Sequence, residues 1–325
     1  MTVAGKYRFV MPTCEGGMDL KQLKALVLVA DVGSVTKAAE LLHVVQPAVT
    51  RYIRALEKEF GTPLFERTRL GMRPTEAGAA LAERARRALT ELDRARAELT
   101  PSPGTVTGIV TVGLLASTAE TLAEPLVTAV LREHPGVELR VLTAYSGHLQ
   151  QWLDAGDVDL SLLYDLTSTP SLNVTPLVDE HLWVAAGPAE GLRADQPVPL
   201  ADVVTHPLVM PQPGHGLYSL ITNAAHEAGA AIDVAVHTNS MALQKQFTLA
   251  GHGWTILPSV GIAEDLENGV LTAAPVTEPE IRRTVVLGMP RTVRVAPAVQ
   301  VVANTLVREV RAAVDGGRWP SGQLR

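Results

Sequence analysis

Apolar residues recur at helical spacing in three short stretches near the start of the chain. The second stretch follows Ser34, a good N-cap residue, and the third opens at Gln46-Pro47, where a proline loses no helical hydrogen bond. Gly33 ends the first predicted helix and Gly61 ends the third. The predicted inward positions are, helix by helix, Leu20, Leu23, Val27 and Ala30; Val35, Ala38, Ala39 and Leu42; and Val49, Ile53, Leu56 and Phe60.

A three-residue turn, 43–45, joins the second and third predicted helices and predicts a helix-turn-helix. The third helix can then lie in a DNA major groove, because its outer face carries side chains that bind bases and phosphates. The run 62–75 predicts a β-hairpin wing with arginines near its tip. The alternative is a three-helix packing module with a solvated charged face. We expect DNA contacts from Ser34, Thr36, Gln46, Pro47, Thr50, Arg51, Arg54, Arg67, Arg69 and Arg73.

A long helix is predicted after Thr75, which can cap it. Its apolar positions alternate at spacings of four and three, which is the seam of a coiled coil and predicts a dimerisation helix. The alternative is packing of this seam against its own chain. Pro101 to Gly104 then predict a hinge. The seam consists of Leu81, Ala85, Ala88, Leu92, Ala95 and Leu99.

From about residue 105 the pattern changes to apolar strands that alternate with helices, which predicts open parallel sheets in an α/β body. Strands are predicted at 106–113, 137–144, 159–163, 182–186, 207–210, 233–238, 254–257 and 284–288. Such sheets bind ligands at the carboxyl ends of their strands, where free helix N–H groups favour anions. Helix capping is an equally good explanation for each polar residue there. The candidate ligand-binding residues are Ser117, Thr118, Ser146, Tyr164, His215, Tyr218 and Ser240.

Composition is that of a folded protein, with 46% hydrophobic and 19% charged residues in 325. No stretch reaches the roughly 18 consecutive apolar residues of a membrane helix, and the one cysteine excludes an internal disulfide. We therefore expect a cytoplasmic protein. The net charge of −6 is uneven, because residues 18–100 hold 14 basic and 11 acidic side chains whereas 101–325 hold 12 and 22. A basic front on an acidic body favours a nucleic-acid binder with a separate sensing domain.

Signatures of catalysis are missing from the sequence. The two G-x-G starts, at Gly214 and Gly251, lack the third glycine of a dinucleotide fingerprint, and there is neither a P-loop nor a nucleophile elbow. The nine histidines have no metal-ligand spacing. We expect no enzyme activity, no cofactor and no metal.

Four fragments, in order and correctly spaced, resemble the N-terminal domain of LysR-type transcriptional regulators. They are S-V-T-K-A-A-E-L-L-H at 34–43, Q-P-A-V-T-R-Y-I-R-A-L-E at 46–57, G-T-P-L-F-E-R at 61–67 and R-P-T-E-A-G at 73–78. The body is similar to the effector domain of the same family, and 144–165 is especially close to the branch that includes nitrogen-assimilation regulators. One departure is Val45, where the family usually has a serine that can cap the recognition helix.

This resemblance implies an α/β protein with an all-α winged helix-turn-helix head and a periplasmic-binding-protein-like (type 2) body of two α/β subdomains. The expected segments are a disordered extension, 1–17; the head, 18–75; the linker helix and hinge, 76–104; the effector domain, 105–315; and a tail, 316–325. Its first subdomain would comprise about 105–175 and 282–315, and its second about 176–281.

Functionally, the resemblance implies a dimer that binds an interrupted palindrome in promoter DNA and assembles into a homotetramer. A small-molecule effector, anionic if the hydroxyls and helix N-termini bind it, would lie between the two subdomains, and RNA polymerase is a candidate partner. Three alternatives stay open: a regulator without an effector, a small-molecule-binding protein whose head mediates assembly, and an enzyme with an α/β body.

Overall fold

The structure is a computed structural model that describes residues 17–69, 71–99, 106–166, 168–291 and 295–325, without the side chains of residues 93, 94 and 96–99. The chain forms two compact units, Met1–Arg96 and Ala97–Arg325. The predicted extension, apart from Gly17, and the predicted hinge lie outside the described residues.

The first unit is a winged helix-turn-helix, as predicted. Local chemistry fixes four of the helix ends: Asp19 and Gln22 form a capping box, Ser34 accepts from the Lys37 N–H, and Gly33 and Gly61 take left-handed C-cap conformations. Its elements are α1 (Leu20–Val32), α2 (Val35–Leu41), α3 (Gln46–Phe60), the antiparallel hairpin β1 (Phe65–Thr68) and β2 (Gly71–Pro74), and α4 (Glu76–Leu99).

The core of this unit includes apolar side chains from all four helices and the wing. Phe60 was predicted to face inward but is 46% exposed, because the helix ends at Gly61 and its last turn extends beyond the core. In α1 the buried residues are Leu23, Ala25, Leu26 and Val29. Of the predicted inward positions, Leu23 is buried, Leu20 is exposed, and Val27 and Ala30 are half-buried, each one residue away from a buried position. Gly78 lies so close to the wing that a Cβ would stand 1.8 Å from the Leu64 carbonyl oxygen.

The predicted dimerisation seam divides along α4. Leu81 and Ala85 pack against the core of their own unit, so the alternative of intrachain packing is correct for this first part. Ala88 and Leu92 are exposed, and the side chain of Leu99 is not described.

The second unit is an α/β body of two subdomains. The elements, in chain order, are β3 (Gly108–Leu115), α5 (Ala116–Glu133), β4 (Val137–Ala144), α6 (Ser146–Ala155), β5 (Leu160–Tyr164), β6 (Leu172–Ala186), β7 (Val198–Pro199), α7 (Leu200–Val203), β8 (Leu208–Pro211), α8 (Gly216–Glu227), β9 (Val234–Thr238), α9 (Met241–Leu249), β10 (Thr255–Pro258), α10 (Ala263–Glu267), β11 (Thr272–Thr277), β12 (Arg282–Pro290), α11 (Pro297–Asp315) and β13 (Gln323–Leu324), with short 3-10 helices at Pro188–Glu190 and Ser259–Ile262.

Two long strands, β6 and β12, connect the subdomains. Residues 172–181 of β6 pair with β12 in the first subdomain, and residues 182–186 pair with β10 and β11 in the second. The chain therefore crosses near residue 182, later than the predicted 176. Pro176 interrupts the strand pattern in the sequence, but a bulge in the pairing with β12 accommodates it.

The sheet of the first subdomain is mixed, whereas the sequence predicted parallel sheets. β4, β3 and β5 are parallel neighbours, but β12 runs antiparallel to both β5 and β6. The returning strand reverses direction because it comes back from the second subdomain. β8 and β9 form a parallel pair in that second subdomain.

Part of the predicted tail, 316–325, attaches to the body. Trp319 is 1% exposed, and β13 pairs with β6. The cause is a partner far away in the sequence, because the indole N–H of Trp319 donates to the buried carboxylate of Glu180.

Candidate functional site

A concave surface on the first unit brings together the N-terminus of α2, the outer face of α3 and the wing. Six of the ten predicted DNA-contacting residues line it: Ser34, Thr36, Gln46, Thr50, Arg54 and Arg67. Lys37 and Glu57 line it as well and were not among the predicted contacts. The surface thus combines hydrogen-bonding side chains on one helix with cations on that helix and on the wing, as major-groove recognition requires.

Local hydrogen bonds fix the geometry of this surface. The Gln46 side-chain amide donates to the Thr50 hydroxyl at 3.2 Å, which orients one candidate base-reading group over the first turn of α3. At the other end, Glu57 accepts from the Leu64 N–H at 2.9 Å, which ties the start of the wing to the recognition helix. The Met72 N–H donates to the Gly33 carbonyl at 2.8 Å, which holds the second wing strand against the turn after α1.

Four predicted contacts, Pro47, Arg51, Arg69 and Arg73, are exposed but do not line the concave surface. In the hairpin Arg73 is paired with Glu66, and the next pair along is Arg67 with Met72. Because successive side chains of a strand alternate between its faces, Arg73 lies on the opposite face of the wing from Arg67.

The N-terminus of α3 lacks a side-chain cap. Val45 is the N-cap residue, makes no capping hydrogen bond and is 70% exposed. The valine at this position therefore leaves the backbone N–H groups of the first turn of α3 without a side-chain acceptor. Such free N–H groups at a helix N-terminus favour an anion.

The second unit contains a small cavity of about 30 Å³ between its two subdomains. That volume holds about two water molecules. The first subdomain contributes the ends of β3, β4 and β5, and the second contributes the start of α8, one side of α9 and the end of β10. The subdomains meet closely here, since a Cβ on Gly216 would lie 2.8 Å from the Tyr164 ring.

Arg283 is the cation of this cavity. It lies on β12, with its side chain 3% exposed, and its Nε donates to Glu180 at 2.6 Å while its Nη2 donates to the Ser117 hydroxyl at 3.1 Å. The guanidinium carbon lies 4.7 Å from the centre of the Tyr164 ring. Since a guanidinium carries five donors, some remain for a ligand after these contacts are made.

Two further polar groups of the cavity wall, the Tyr145 hydroxyl and His215 Nε2, are buried without a hydrogen-bond partner among the described residues. Their rings meet edge to face, with centroids 4.0 Å apart. His215 Nδ1 accepts from the Leu217 N–H at 3.1 Å, so the neutral ring carries its proton on Nε2 as a donor. Burial, with the charge of Arg283 and then of His148, lowers the pKa of His215 to about 4.

This lowered pKa predicts acid sensitivity between about pH 6.5 and 4. As the pH falls through 6.5 the unfolded chain protonates His215, whereas the folded chain does so only near the value of about 4, so stability is lost on acidification. The shift in pKa corresponds to a loss of about 3 kcal/mol in the free energy of unfolding, and partial exposure of the ring to solvent makes the actual loss smaller. His215→Asn, which retains an N-cap for α8, should flatten this part of the stability profile measured by denaturant unfolding at each pH. His226→Asn, at an exposed position of the same helix, should leave the profile as in the wild type; equal slopes for all three proteins would contradict the assignment.

Comparison with known proteins identifies both units. Residues 20–79 match the bacterial regulatory helix-turn-helix protein, lysR family, and residues 103–311, well over half of the chain, match the LysR substrate binding domain. The chain belongs to the LysR family of transcriptional regulators. It is therefore a LysR-type regulator with a DNA-binding head and an effector-binding body, in a family of regulators rather than enzymes.

Full-length relatives cover nearly the whole of this LysR-type regulator. It is 28% identical to BbuR of Bordetella bronchiseptica over 96% of both chains, and 31% identical to CbbR of Xanthobacter flavus over 89% of this chain and 87% of that one. The nitrogen assimilation regulatory protein of Klebsiella aerogenes is 29% identical over 89% of this chain and 94% of its own. The structure of full-length CbnR with its target DNA has the same fold, with a TM-score of 0.68 and 24% identity over 90% of this chain and 100% of that chain.

Three of the seven predicted ligand-binding residues of this LysR-type regulator line the cavity: Ser117, Tyr164 and His215. The other four make structural contacts. Thr118 donates to the Leu115 carbonyl, Ser146 accepts from the Tyr164 N–H, Ser240 caps α9, and the Tyr218 ring faces His237. Ligand contacts from these four residues stay a prediction.

Sequence reasoning missed Tyr145, Arg283 and Glu180. Glu180 and Arg283 could have been found from the strand alternation, because each lies two residues from buried apolar residues and so on the same face of its strand. These neighbours are Val178 and Leu182 for Glu180, and Val285 for Arg283. A charged side chain on the inward face of a strand needs a partner and often marks a site.

Two observations concern the described residues of both units. No helix in the described ranges is both long and apolar enough to span a membrane. Likewise, within the described part of the chain, no three His, Cys, Asp or Glu side chains cluster in a way that could hold a metal ion.

Proposed function

We propose that this regulator reads an interrupted palindrome in promoter DNA through the concave surface of its head. The observation that carries this proposal is the convergence of Gln46, Thr50 and Arg54 on α3 with Arg67 on the wing. Gln46 would pair with an adenine edge, Arg54 with guanine or a phosphate, and Arg67 with phosphates beside the groove. The free N-terminus of α3 would receive a further phosphate oxygen.

Substitutions of two residues on this surface should have different signatures. Gln46→Ala should weaken discrimination at one base pair of each half-site by about 1–3 kcal/mol. Arg67→Ala should weaken binding to all sequences and reduce the slope of log K against log salt by about 0.9. Fluorescence anisotropy with a selected operator and its single-base variants, at several salt concentrations, measures both effects.

Arg84, exposed on α4 and outside the concave surface, provides the matched control, and Arg84→Ala should change neither quantity. If Gln46→Ala kept the wild-type base preference, the role given to Gln46 would be wrong. A sequence-selective loss in Arg67→Ala would mean that the wing reads bases.

The effector of this regulator, in our proposal, is a small molecule with a carboxylate or another oxyanion. The cavity is rich in donors, since Arg283, the Nε2–H of His215 and the Tyr145 hydroxyl all lie on its wall. Donors that are desolvated and lack a partner favour a ligand that supplies acceptor oxygens. The small volume implies either a compact ligand or separation of the subdomains to admit a larger one. Operator binding should then respond to small carboxylates and not to the corresponding primary amides.

Coupling between effector and DNA requires an assembly with at least two quaternary states of different effector affinity. We propose a dimer formed through the exposed part of the α4 seam, and a dimer of dimers as the complete regulator. RNA polymerase is a proposed further partner at the promoter. The exposed arginines of the head favour this function over a head that serves only for assembly.

A further inference from the structure

The largest of the fully buried side chains among the described residues is that of Trp319. It lies beyond residue 311, where the match to the LysR substrate binding domain ends. Its indole N–H donates to Glu180 Oε2 at 2.7 Å. A segment outside the matched domain thus inserts a large aromatic side chain into the body and makes a charge-assisted hydrogen bond there.

Glu180 is shared between this tryptophan and the cation of the effector cavity. Glu180 is 0% exposed, and the second oxygen of its carboxylate, Oε1, accepts from Arg283 Nε at 2.6 Å. Glu180 and Arg283 are direct partners in the register of β6 and β12, the two strands that connect the subdomains. The carboxylate is therefore held on one side by the C-terminal segment and on the other by the cavity.

The rest of the segment is anchored to the same strands and to both subdomains. Ser321 bonds to Ser259 of the second subdomain at 2.7 Å and to the His181 carbonyl at 2.9 Å, where the chain crosses. Arg325 donates to Asp179 on β6 at 2.7 Å, and Arg318 donates to the Thr121 carbonyl on α5 at 3.1 Å.

We infer that residues 318–325 form a positioning element of the effector site, in which Trp319 acts through Glu180 to hold the Arg283 guanidinium toward the cavity. The cavity's role as an effector site rests on the proposed function; the mechanical link from Trp319 to Arg283 does not. Trp319 is a positioning residue, since it does not line the cavity itself.

The physical reason is the number of bonds that orient Glu180. A buried carboxylate oxygen without a donor is costly, so loss of the indole N–H favours a rotated or hydrated carboxylate. Arg283 would then lose the partner at the shorter distance and sample other orientations, with the Ser117 hydroxyl as its remaining hydrogen-bond partner. A ligand would then have to order the Arg283 side chain on binding, and this would lower its affinity.

The test is the reactivity of Arg283 toward phenylglyoxal in the full-length protein, read by peptide mass spectrometry. Arg140, with 55% of its side chain exposed on β4, is the internal reference. In the wild type Arg283 should react far more slowly than Arg140. Trp319→Phe, which keeps an aromatic side chain but removes the N–H together with the five-membered ring of the indole, should raise the Arg283 rate by about tenfold, the factor that corresponds to roughly 1.4 kcal/mol. The Arg140 rate should not change.

Trp152→Phe, at a half-buried position of α6 in the same subdomain, is the matched control and should leave Arg283 protected. Deletion of residues 323–325 keeps Trp319 but removes β13 and the Arg325–Asp179 pair. It should raise the Arg283 rate by a smaller factor, and it decides the matter if Trp319→Phe fails to fold. Unchanged Arg283 protection in the folded variants would overturn the inference, and so would an equal rise at Arg140. Neither DNA nor effector enters this measurement, so failure of the proposed function would leave its result intact.

Discussion

Leu92→Asp is expected to convert the proposed dimer into a monomer and to lower operator affinity by a factor of about 10²–10⁴. In a two-fold symmetric helix pair each seam residue packs into the seam of the other helix, so each subunit would place a carboxylate in an apolar contact. Leu92 is the seam position that tests the proposed dimer most directly. Leu81 and Ala85 are committed to the core of their own head, whereas Leu92 is 41% exposed and available to a partner. A palindrome bound by one head at a time loses the gain in effective concentration that linkage provides.

Sedimentation velocity gives the assembly state of this variant, and anisotropy with a palindromic operator gives its affinity. Ala80→Asp places the same charge at an exposed position of α4 outside the seam, and it should remain dimeric with wild-type affinity. An intact dimer in Leu92→Asp would rule out the seam as the dimer contact. Dissociation without loss of affinity would show that one head suffices for binding.

Glu180→Gln is expected to destabilise the body by about 3–5 kcal/mol, the typical cost of leaving a buried charge without its partner. The substitution keeps the shape of the side chain but removes the charge that faces Arg283, whose side chain is 3% exposed. It also places an amide where the Trp319 N–H and the Arg283 Nε both need an acceptor. Denaturant unfolding followed by tryptophan fluorescence is a specific measurement, because all four tryptophans lie in the second unit.

The double variant Glu180→Gln/Arg283→Met is the control for this argument. Removing the Arg283 charge should restore a large part of the lost free energy of unfolding. The reason is that the loss in the single variant comes from an unpaired buried charge and not from lost packing. No recovery in the double variant, or a loss below about 1 kcal/mol in the single one, would contradict this account of the buried pair.

The head could be predicted nearly completely from the sequence because its structure depends on local signals. Ser34, Gly33 and Gly61 fix helix ends, and the outward positions of α3 follow from the 3.6-residue period. Two details could not be predicted from the helical period, because they depend on packing and on strand pairing. Phe60 lies past the end of the core, and Arg73 lies on the opposite face of the wing from Arg67.

The body was predicted less well because its site depends on contacts between distant segments. Residues 172–181 of β6 were not predicted as a strand, although this strand carries Glu180. Arg283 is 103 residues away from Glu180 along the chain and Trp319 is 139 residues away, and no local pattern links them. Polar residues at strand ends were expected to bind ligand, but the Ser240 hydroxyl caps α9 and the Thr118 hydroxyl bonds to a backbone carbonyl, because these tasks use the same hydroxyl chemistry.

The most direct test of the central claim is selection of bound fragments from the genomic DNA of the source organism by the purified full-length protein at about 0.15 M salt, a physiological ionic strength. The selection is run without addition, with a mixture of small carboxylates, and with the matching primary amides. We expect enrichment of an interrupted palindrome, with affinities or site spacing that change in the carboxylate arm alone. Salt-sensitive binding without an enriched sequence would contradict the account, because it would leave the head an electrostatic surface rather than a reader of DNA.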